Sequence, residues 1–254
     1  MSSIALLLLF SVIVTTFITS NRVKDTGVLD VKSYVVNSYL YILLAILICS
    51  LTAVVVSDYM NTRISENDSS VGQFVWYMLG AFVVALISLF FVTSKNKNIS
   101  HIAWLLIVVT IGIILYNPTL TTSAVISAVL TVIILMVGLT YFAGSLDDNA
   151  LNSWGPYLMF ALLGLIIFEL FDIGLMFFSS NFNIKALMQR EKMYSIITIV
   201  LFSAFVLYDT KKIYQHAKQA VSECGTNKCA NYPAESLNLF LDIINLYVNI
   251  SQRT

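Results

Sequence analysis

Long uninterrupted apolar runs constrain this chain more than any other feature. Six of them have the roughly 17–25 residues that a helix needs to cross a bilayer: 35–57, 72–93, 101–117, 119–141, 156–179 and 193–210. In lipid, a segment must satisfy its backbone hydrogen bonds internally, which such runs do as α-helices. The sequence therefore predicts an all-α membrane bundle, whose short connections leave no room for a soluble domain.

Two further apolar stretches flank these six. Residues 236–250 form a shorter run that carries polar side chains, and we count it as the seventh helix. Residues 3–19 open the chain; no charge precedes Arg22 and the run ends in TTFITS, unlike a signal peptide with its basic start and small-residue cleavage site. We therefore expect 1–33 to hold an extra uncleaved helix, as a span or a signal anchor, and 34–254 to form the transmembrane domain.

The composition supports a membrane location. Only 11% of the residues are charged and the mean hydropathy is +0.85, whereas soluble domains carry about 25% charge. The formal net charge is zero, which argues against a nucleic-acid partner because such a partner requires a basic face. Cys224 and Cys229 lie in a polar loop and are expected as free thiols, since a C-x4-C pair without further Cys or His is weak evidence for zinc.

Basic residues in the loops set the expected orientation. Three segments should face the cytosol: the start of the first long run, the loop with Lys95 and Lys97, and the loop 211–228. The loop 185–192 disagrees, but the count favours this orientation by nine basic residues to four. Asn67-Asp68-Ser69 is then a glycosylation sequon in an outer loop.

Four acids lie inside apolar runs: Glu169, Asp172, Asp209 and Asp242. A charge at the bilayer centre costs about 2.5–3.5 kcal/mol even on lenient scales, so such residues usually face a bundle interior, a water cavity or a partner. Asp209 and Asp242 fall toward the same side of the membrane on antiparallel helices and are expected to meet. The alternative is that each finds a separate Ser or Asn partner.

The stretch LNLFLDIINLYVNI carries four polar residues on one edge. Asn238, Asp242, Asn245 and Asn249 fall within a stripe about 60° wide on a helix. Two close carboxylates share a proton; losing it makes the helices repel and creates a site for a hard cation. Calcium prefers oxygen ligands, so the hypothesis is a pH-sensitive gate at Asp209 and Asp242, able to bind calcium, with the amides lining an ion path.

Glu169 and Asp172 would extend that path, because they lie three residues apart on one face of the fifth long run. The alternative is a salt bridge or hydrogen bonds to neighbouring helices. His101, at the start of the third run, is expected as an interfacial side chain rather than a proton relay.

Two C-terminal segments carry a family resemblance. FSAFVLYDTKKI contains an aromatic-Asp-Thr triplet, Tyr208 to Thr210, and YPAESLNLFLDIINLYVNI matches A-x-x-L-N-L-Y-L-D-I-I-N-L with Phe240 where Tyr is common. Together they resemble the signature of the Bax inhibitor-1 family, also called the transmembrane Bax inhibitor motif or lifeguard family. The likeness runs from about 34 to 250 and is specific over the last 60 residues.

The resemblance implies seven helices with the C-terminal one surrounded by the others. It implies residence in the endoplasmic reticulum or Golgi, suppression of cell death, and a pH-dependent leak of calcium as the transported ion, without a cofactor. Asp209 and Asp242 take the places of the family's pH-sensing pair. Lys95 and Lys97 stand where the family often has an Arg latch, although Lys lacks the planar fork of Arg. Besides the lipid bilayer, the implied partners are cell-death regulators of the Bcl-2 type or other channels.

Two rival functions remain open. An intramembrane aspartyl protease also uses two membrane aspartates, and Tyr208-Asp209 fits one half of its signature, but the Gly-x-Gly-Asp half is absent because Leu239 to Leu241 precede Asp242. We therefore do not expect an enzyme. The other rival is a scaffold that binds membrane partners and conducts no ions.

Overall fold

Seven α-helices account for most of the described chain. The computed structural model describes residues 28–64, 69–115, 122–147, 149–178 and 184–251. The helices are α1 (Val31–Ile64), α2 (Ser69–Val92), α3 (Lys97–Ile114), α4 (Thr122–Ser145), α5 (Trp154–Phe178), α6 (Ile184–Glu223) and α7 (Tyr232–Ser251). The prediction of an all-α fold is confirmed. The apolar run 3–19 and the sequon residue Asn67 lie outside the described residues.

Five of these helices are long and apolar enough to cross a membrane. The candidate spans are Val31–Ser57, Lys97–Ile114, Ser127–Ser145, Trp154–Asp172 and Lys192–Glu223, and a shorter apolar helix covers Trp76–Val92. The chain is thus a multi-pass membrane protein. The polar stripe keeps α7 out of this set.

The helices differ sharply in how much apolar surface they expose. Phe90 on α2, Ile134 on α4 and Phe160 on α5 are each exposed over more than two thirds of their surface. In α7, which is described throughout, Asn238 is the one exposed residue of twenty. Apolar side chains left exposed on α2, α4 and α5 form the kind of surface that lipid covers, whereas the residues of α7 are mostly buried or partly buried.

The helices fall into two compact units. The first comprises Met1–Thr119 with His216–Phe240, and the second comprises Leu120–Gln215 with Leu241–Thr254. In the first unit α1 and α3 approach closely at Gly112, where an added Cβ would lie 2.7 Å from the carbonyl oxygen of Cys49. A larger residue at this position would push the two helices apart.

An aromatic cluster fills the core of the first unit. The Tyr41 ring contacts Trp104 and Tyr232 at centroid distances of 5.4 and 5.8 Å. Its hydroxyl bonds to Nε2 of His101 at 2.5 Å, and His101 Nδ1 bonds to the Lys97 carbonyl at 2.6 Å. Because a carbonyl only accepts, Nδ1 carries the proton and the neutral ring accepts from Tyr41 at Nε2. His101 lies at the start of a span, as expected, but it is buried rather than interfacial.

The connection from α6 to α7 closes on a disulfide. Gly225 has φ 63°, and the amides of Cys224 and Gly225 both donate to the Ala220 carbonyl at 3.1 Å. This turn, in the left-handed region that suits glycine, reverses the chain and brings Cys224 and Cys229 to a Cα separation of 6.3 Å, where they are bonded. The expectation of free thiols is therefore wrong for this pair; Cys49 is the free, buried cysteine of the described residues.

In the second unit the start of the α4–α5 connection is bound by α6. Lys211 is 5% exposed and its Nζ donates to the Leu146 carbonyl at 2.6 Å. Gln215 Nε2 donates to Asn152 Oδ1 at 2.7 Å. The last carbonyls of a helix lack partners within the helix, so the carbonyl that follows α4 is a favourable partner for this ammonium group inside the protein.

Candidate functional site

The two aspartates predicted to pair lie together in the second unit. Asp209 on α6 and Asp242 on α7 are joined by a side-chain hydrogen bond. Asp242 is 5% exposed and Asp209 is partly buried. Ionised carboxylates only accept hydrogen bonds, so a bond between two carboxyl groups requires a proton on one of them. Two carboxyl groups in this arrangement can hold one proton between them.

Buried apolar residues flank this pair. Val206 on α6 and Leu246 on α7, one turn from the aspartates along their helices, are fully buried. Oδ2 of Asp242 is also buried and has no hydrogen-bond partner among the described residues. An oxygen in that position is costly to leave without a proton, a donor or a cation.

The amides of the stripe are arranged along α7 in a repeating pattern. Asn245 Nδ2 donates to the Leu241 carbonyl and Asn249 Nδ2 donates to the Asn245 carbonyl, each at 2.9 Å. Each amide thereby uses one of its two N–H donors on its own helix, and its Oδ1 is an acceptor. Asn238 is exposed, whereas Asn245 and Asn249 are partly buried; on α6, Ser195 Oγ donates to the Asn249 carbonyl at 3.1 Å.

Glu169 and Asp172 have different environments despite their spacing. Glu169 is exposed on α5, whereas Asp172 is buried and its Oδ1 lies 2.7 Å from Nη1 of Arg190. Tyr194 interacts with the same carboxylate. The structure thus shows for Asp172 the salt bridge that the sequence left as the alternative to an ion path.

Lys95 and Lys97, the residues at the latch position, belong to the first unit. Both line a cavity of about 830 Å³ formed by residues 93–98 and His101 together with Cys224 and residues 228–231. Lys95 is exposed and Lys97 is partly buried. Their neighbours in this cavity are polar and basic.

Sequence reasoning missed two parts of that cavity. Lys228 lines the cavity from the disulfide-closed turn. Only the tertiary fold brings this turn to the other lining segment. Asn231 Oδ1 accepts from Ser100 Oγ and from the amide of Ala234, and its Nδ2 donates to the Val92 carbonyl. Asn directly before a helix start is an N-cap signal, so the bond to Ala234 was detectable, but the bonds to Val92 and Ser100 were not.

The described residues contain no ready-made cage for a calcium ion. They contain no cluster of three or more His, Cys, Asp or Glu side chains, and calcium prefers six to eight oxygens. Asp209, Asp242 and the amide oxygens would supply only part of that shell. Such a set suits an ion that passes and keeps some of its water.

A comparison with known protein families finds a match that covers all seven described helices. Residues 31–253 match the family described as Bax1-I, inhibitor of apoptosis-promoting Bax1. The matched range begins at the first residue of α1 and includes α7. A search of the curated proteins finds no match.

Proposed function

The chain belongs to the Bax inhibitor-1 family, a family of apoptosis-inhibiting membrane proteins, and from this premise we propose that it is a pH-sensitive calcium leak. In this proposal it releases calcium from an intracellular store, in the endoplasmic reticulum or the Golgi, and thereby restrains cell death. The observation that carries the proposal is the hydrogen-bonded pair of Asp209 and Asp242.

The pair acts as the gate through its charge. With one shared proton, the two carboxyl groups attract each other and hold α6 against α7. When the proton leaves, two negative charges face each other in a poorly solvated site and repel. That state either separates the helices or draws in a cation, so proton loss and calcium entry are coupled.

Charged groups near the pair set the operating range of the gate. On α6, Lys211 follows Asp209 by two residues and donates to Leu146, and Lys212 lies 5.5 Å from the Tyr208 ring centroid. On α5, Asp172 is neutralised by Arg190. In this proposal the carboxyl pair, rather than the salt-bridged Asp172, is the acidic group that binds calcium.

The path continues along α7 in this proposal. Asn245 and Asn249 present carbonyl-type oxygens one and two turns beyond Asp242, on the same edge of the helix. One N–H of each amide is bonded within α7, which orients the side chain, and the Oδ1 atoms are the oxygens that a cation would use. The burial of more than half of the residues of α7 supports its placement at the centre of the bundle, as the family fold implies.

Two features of the loop between α6 and α7 indicate opposite orientations in the membrane. The lysines of 211–228 favour the cytosol for the loop between α6 and α7, whereas a disulfide is unusual there. We place the loop in the cytosol on the count of basic residues. A membrane-impermeant maleimide, applied to sealed microsomes after reduction of Cys224 and Cys229, should label the loop from outside.

The experiment that tests the leak is calcium efflux from liposomes that contain the purified protein, between about pH 6 and 8. Wild-type protein should leak in a pH-dependent way. Asp209→Asn and Asp242→Asn should each flatten the pH profile, because an amide can neither share nor release the proton.

Asp147→Asn provides the matched control, since Asp147 is an exposed acid beyond the end of α4 and its loss should leave the profile unchanged. Efflux equal to that of empty liposomes would refute the leak and favour a non-conducting scaffold. Efflux whose pH dependence survives both pair variants would refute the gate alone.

A further inference from the structure

The cavity of the first unit has the dimensions of a ligand site. Its volume is about 830 Å³, inside the roughly 300–1,000 Å³ typical of small-molecule pockets. Two segments far apart in the chain form it: the turn between α2 and α3, and the loop between α6 and α7. We call it the basic cavity.

Three lysines line the basic cavity. Lys95 and Lys97 come from the first segment and Lys228 from the second. The described lining residues include no Asp or Glu; Glu223, just before Cys224, accepts from Gln219 instead and does not line the cavity. Three like charges around one concave space create a positive potential that favours an anion.

Neutral groups of the lining suit an anion as well. Asn96 accepts through Oδ1 from the amides of Asn98 and Ile99 and so caps α3, which leaves its Nδ2 as a donor. Ser94 and Asn98 add further side-chain donors to the same lining. Ammonium, amide and hydroxyl groups together are the usual partners of phosphate oxygens.

The walls of the basic cavity are fixed before any ligand arrives. Ser100 Oγ bonds to the Val92 carbonyl and to Asn231, which also holds the start of α7. Across from them, the disulfide between Cys224 and Cys229 closes the turn that carries Lys228. A site whose walls are already ordered loses less entropy on binding.

The basic cavity adjoins the ends of two apolar helices. The segment 93–96 joins the apolar helix Trp76–Val92 to the candidate span Lys97–Ile114. A short turn between two membrane helices lies at the membrane boundary, where basic pockets bind phosphorylated headgroups.

We propose that the basic cavity binds a phosphorylated anion through Lys95, Lys97 and Lys228. The ligand chemistry is a phosphate monoester of two or more negative charges, supplied either by a lipid headgroup or by its soluble counterpart. The site lies in the first unit and is separate from the Asp209–Asp242 gate, so this assignment stands or falls independently of the calcium leak.

Ligand binding to the detergent-purified full-length protein, followed by microscale thermophoresis, tests the assignment. The probes are a short-chain phosphatidylinositol bisphosphate, free inositol trisphosphate, and a short-chain phosphatidylcholine as the neutral lipid. Each lysine beside an anionic headgroup contributes about fivefold in affinity, so Lys95→Gln, Lys97→Gln and Lys228→Gln together should weaken binding about a hundredfold.

The matched control changes three lysines outside the basic cavity, with Lys32→Gln, Lys192→Gln and Lys218→Gln, and should alter affinity less than about twofold. Size-exclusion profiles and helical circular dichroism establish folding. If the triple variant does not fold, the three single variants replace it, each about fivefold weaker than wild type.

The probes also separate the two ligand sources. Binding of the bisphosphate lipid alone identifies a lipid headgroup, and equal binding of the trisphosphate identifies a soluble phosphate; in both cases the cavity variants must lose it. The proposal is overturned if neither charged probe binds, if phosphatidylcholine binds as tightly, or if cavity and control variants bind alike.

Discussion

The salt bridge between Arg190 and Asp172 should prove to be structural, and a double-mutant cycle measures this. Arg190 Nη1 and Asp172 Oδ1 lie 2.7 Å apart, and the side chains of Arg190 and Asp172 are 38% and 8% exposed, respectively. Charges centred about 4 Å apart attract by about 4 kcal/mol at an effective dielectric constant of 20. Solvent screening at the half-exposed Arg190 and desolvation of Asp172 reduce the net coupling to about 1–2 kcal/mol.

The single variants differ in what they leave behind. Arg190→Gln strands a buried carboxylate and should cost about 2–3 kcal/mol, whereas Asp172→Asn leaves a half-exposed Arg190 and should cost less. At about 2–4 °C per kcal/mol for a chain of this size, Arg190→Gln should lower Tm by about 4–12 °C. The double variant should lose less than the sum of the two.

Thermal unfolding in detergent micelles, followed by tryptophan fluorescence at neutral pH, gives the four Tm values of the cycle, with Asp147→Asn as an exposed-acid control. Additivity within about 0.5 kcal/mol would refute the coupling. Calcium efflux adds a second criterion. A double variant that folds but no longer conducts would show that Asp172 belongs to the ion path after all.

Three further predictions concern packing, capping and pH. Gly112→Ala should destabilise by about 1–3 kcal/mol through overpacking, while Gly138→Ala, with nothing within 4 Å of the new Cβ, should be neutral or stabilising in the same melting assay. Lys211→Gln should lower Tm by about 2–8 °C because it deprives a buried carbonyl of its donor, with a smaller change for Lys212→Gln. The backbone amide and the side-chain hydroxyl of Ser33 donate hydrogen bonds to the Asp30 carboxylate. These bonds lower the pKa of Asp30 below its ordinary value. The stabilisation is thus present at neutral pH and is lost as the pH falls through the folded-state pKa; Asp30→Ala should lower Tm at about pH 7 but not at about pH 2, and an equal difference at both would contradict the cap.

The helices could be predicted from the sequence because lipid imposes a length and an apolar composition on each span. Their ends could not, since a helix continues beyond the membrane wherever its residues favour it. The run 193–210 lies inside α6, which extends over Ile184–Glu223; KKIYQHAKQAVSE after the apolar run consists largely of helix formers. Hydropathy alone does not register that extension.

The Asp209–Asp242 contact was predictable because the cost of burying a charge narrows the choices for two acids at matched depth. The pairing of Asp172 with Arg190 appeared only as an alternative, since the basic loop had been weighed as an orientation signal. The Lys211–Leu146 hydrogen bond joins residues 65 positions apart, and no local sequence pattern predicts it.

The disulfide and the basic cavity required the structure for a similar reason. Cys224 and Cys229 meet because the turn at Gly225 reverses the chain. The charges of Lys95 and Lys228 combine only because the α2–α3 turn faces that loop. Both features arise from tertiary contacts, which spacing along the chain does not encode.

The polar stripe of α7 has a consequence for biosynthesis. A helix with an aspartate and three asparagines has little tendency to leave the translocon for lipid by itself. It follows the other six described helices in the chain and so emerges from the ribosome after them, entering the bilayer by packing against helices already inserted. Asp242 therefore reaches Asp209 only after α7 has been translated, and a nascent chain arrested before that point lacks the carboxyl pair.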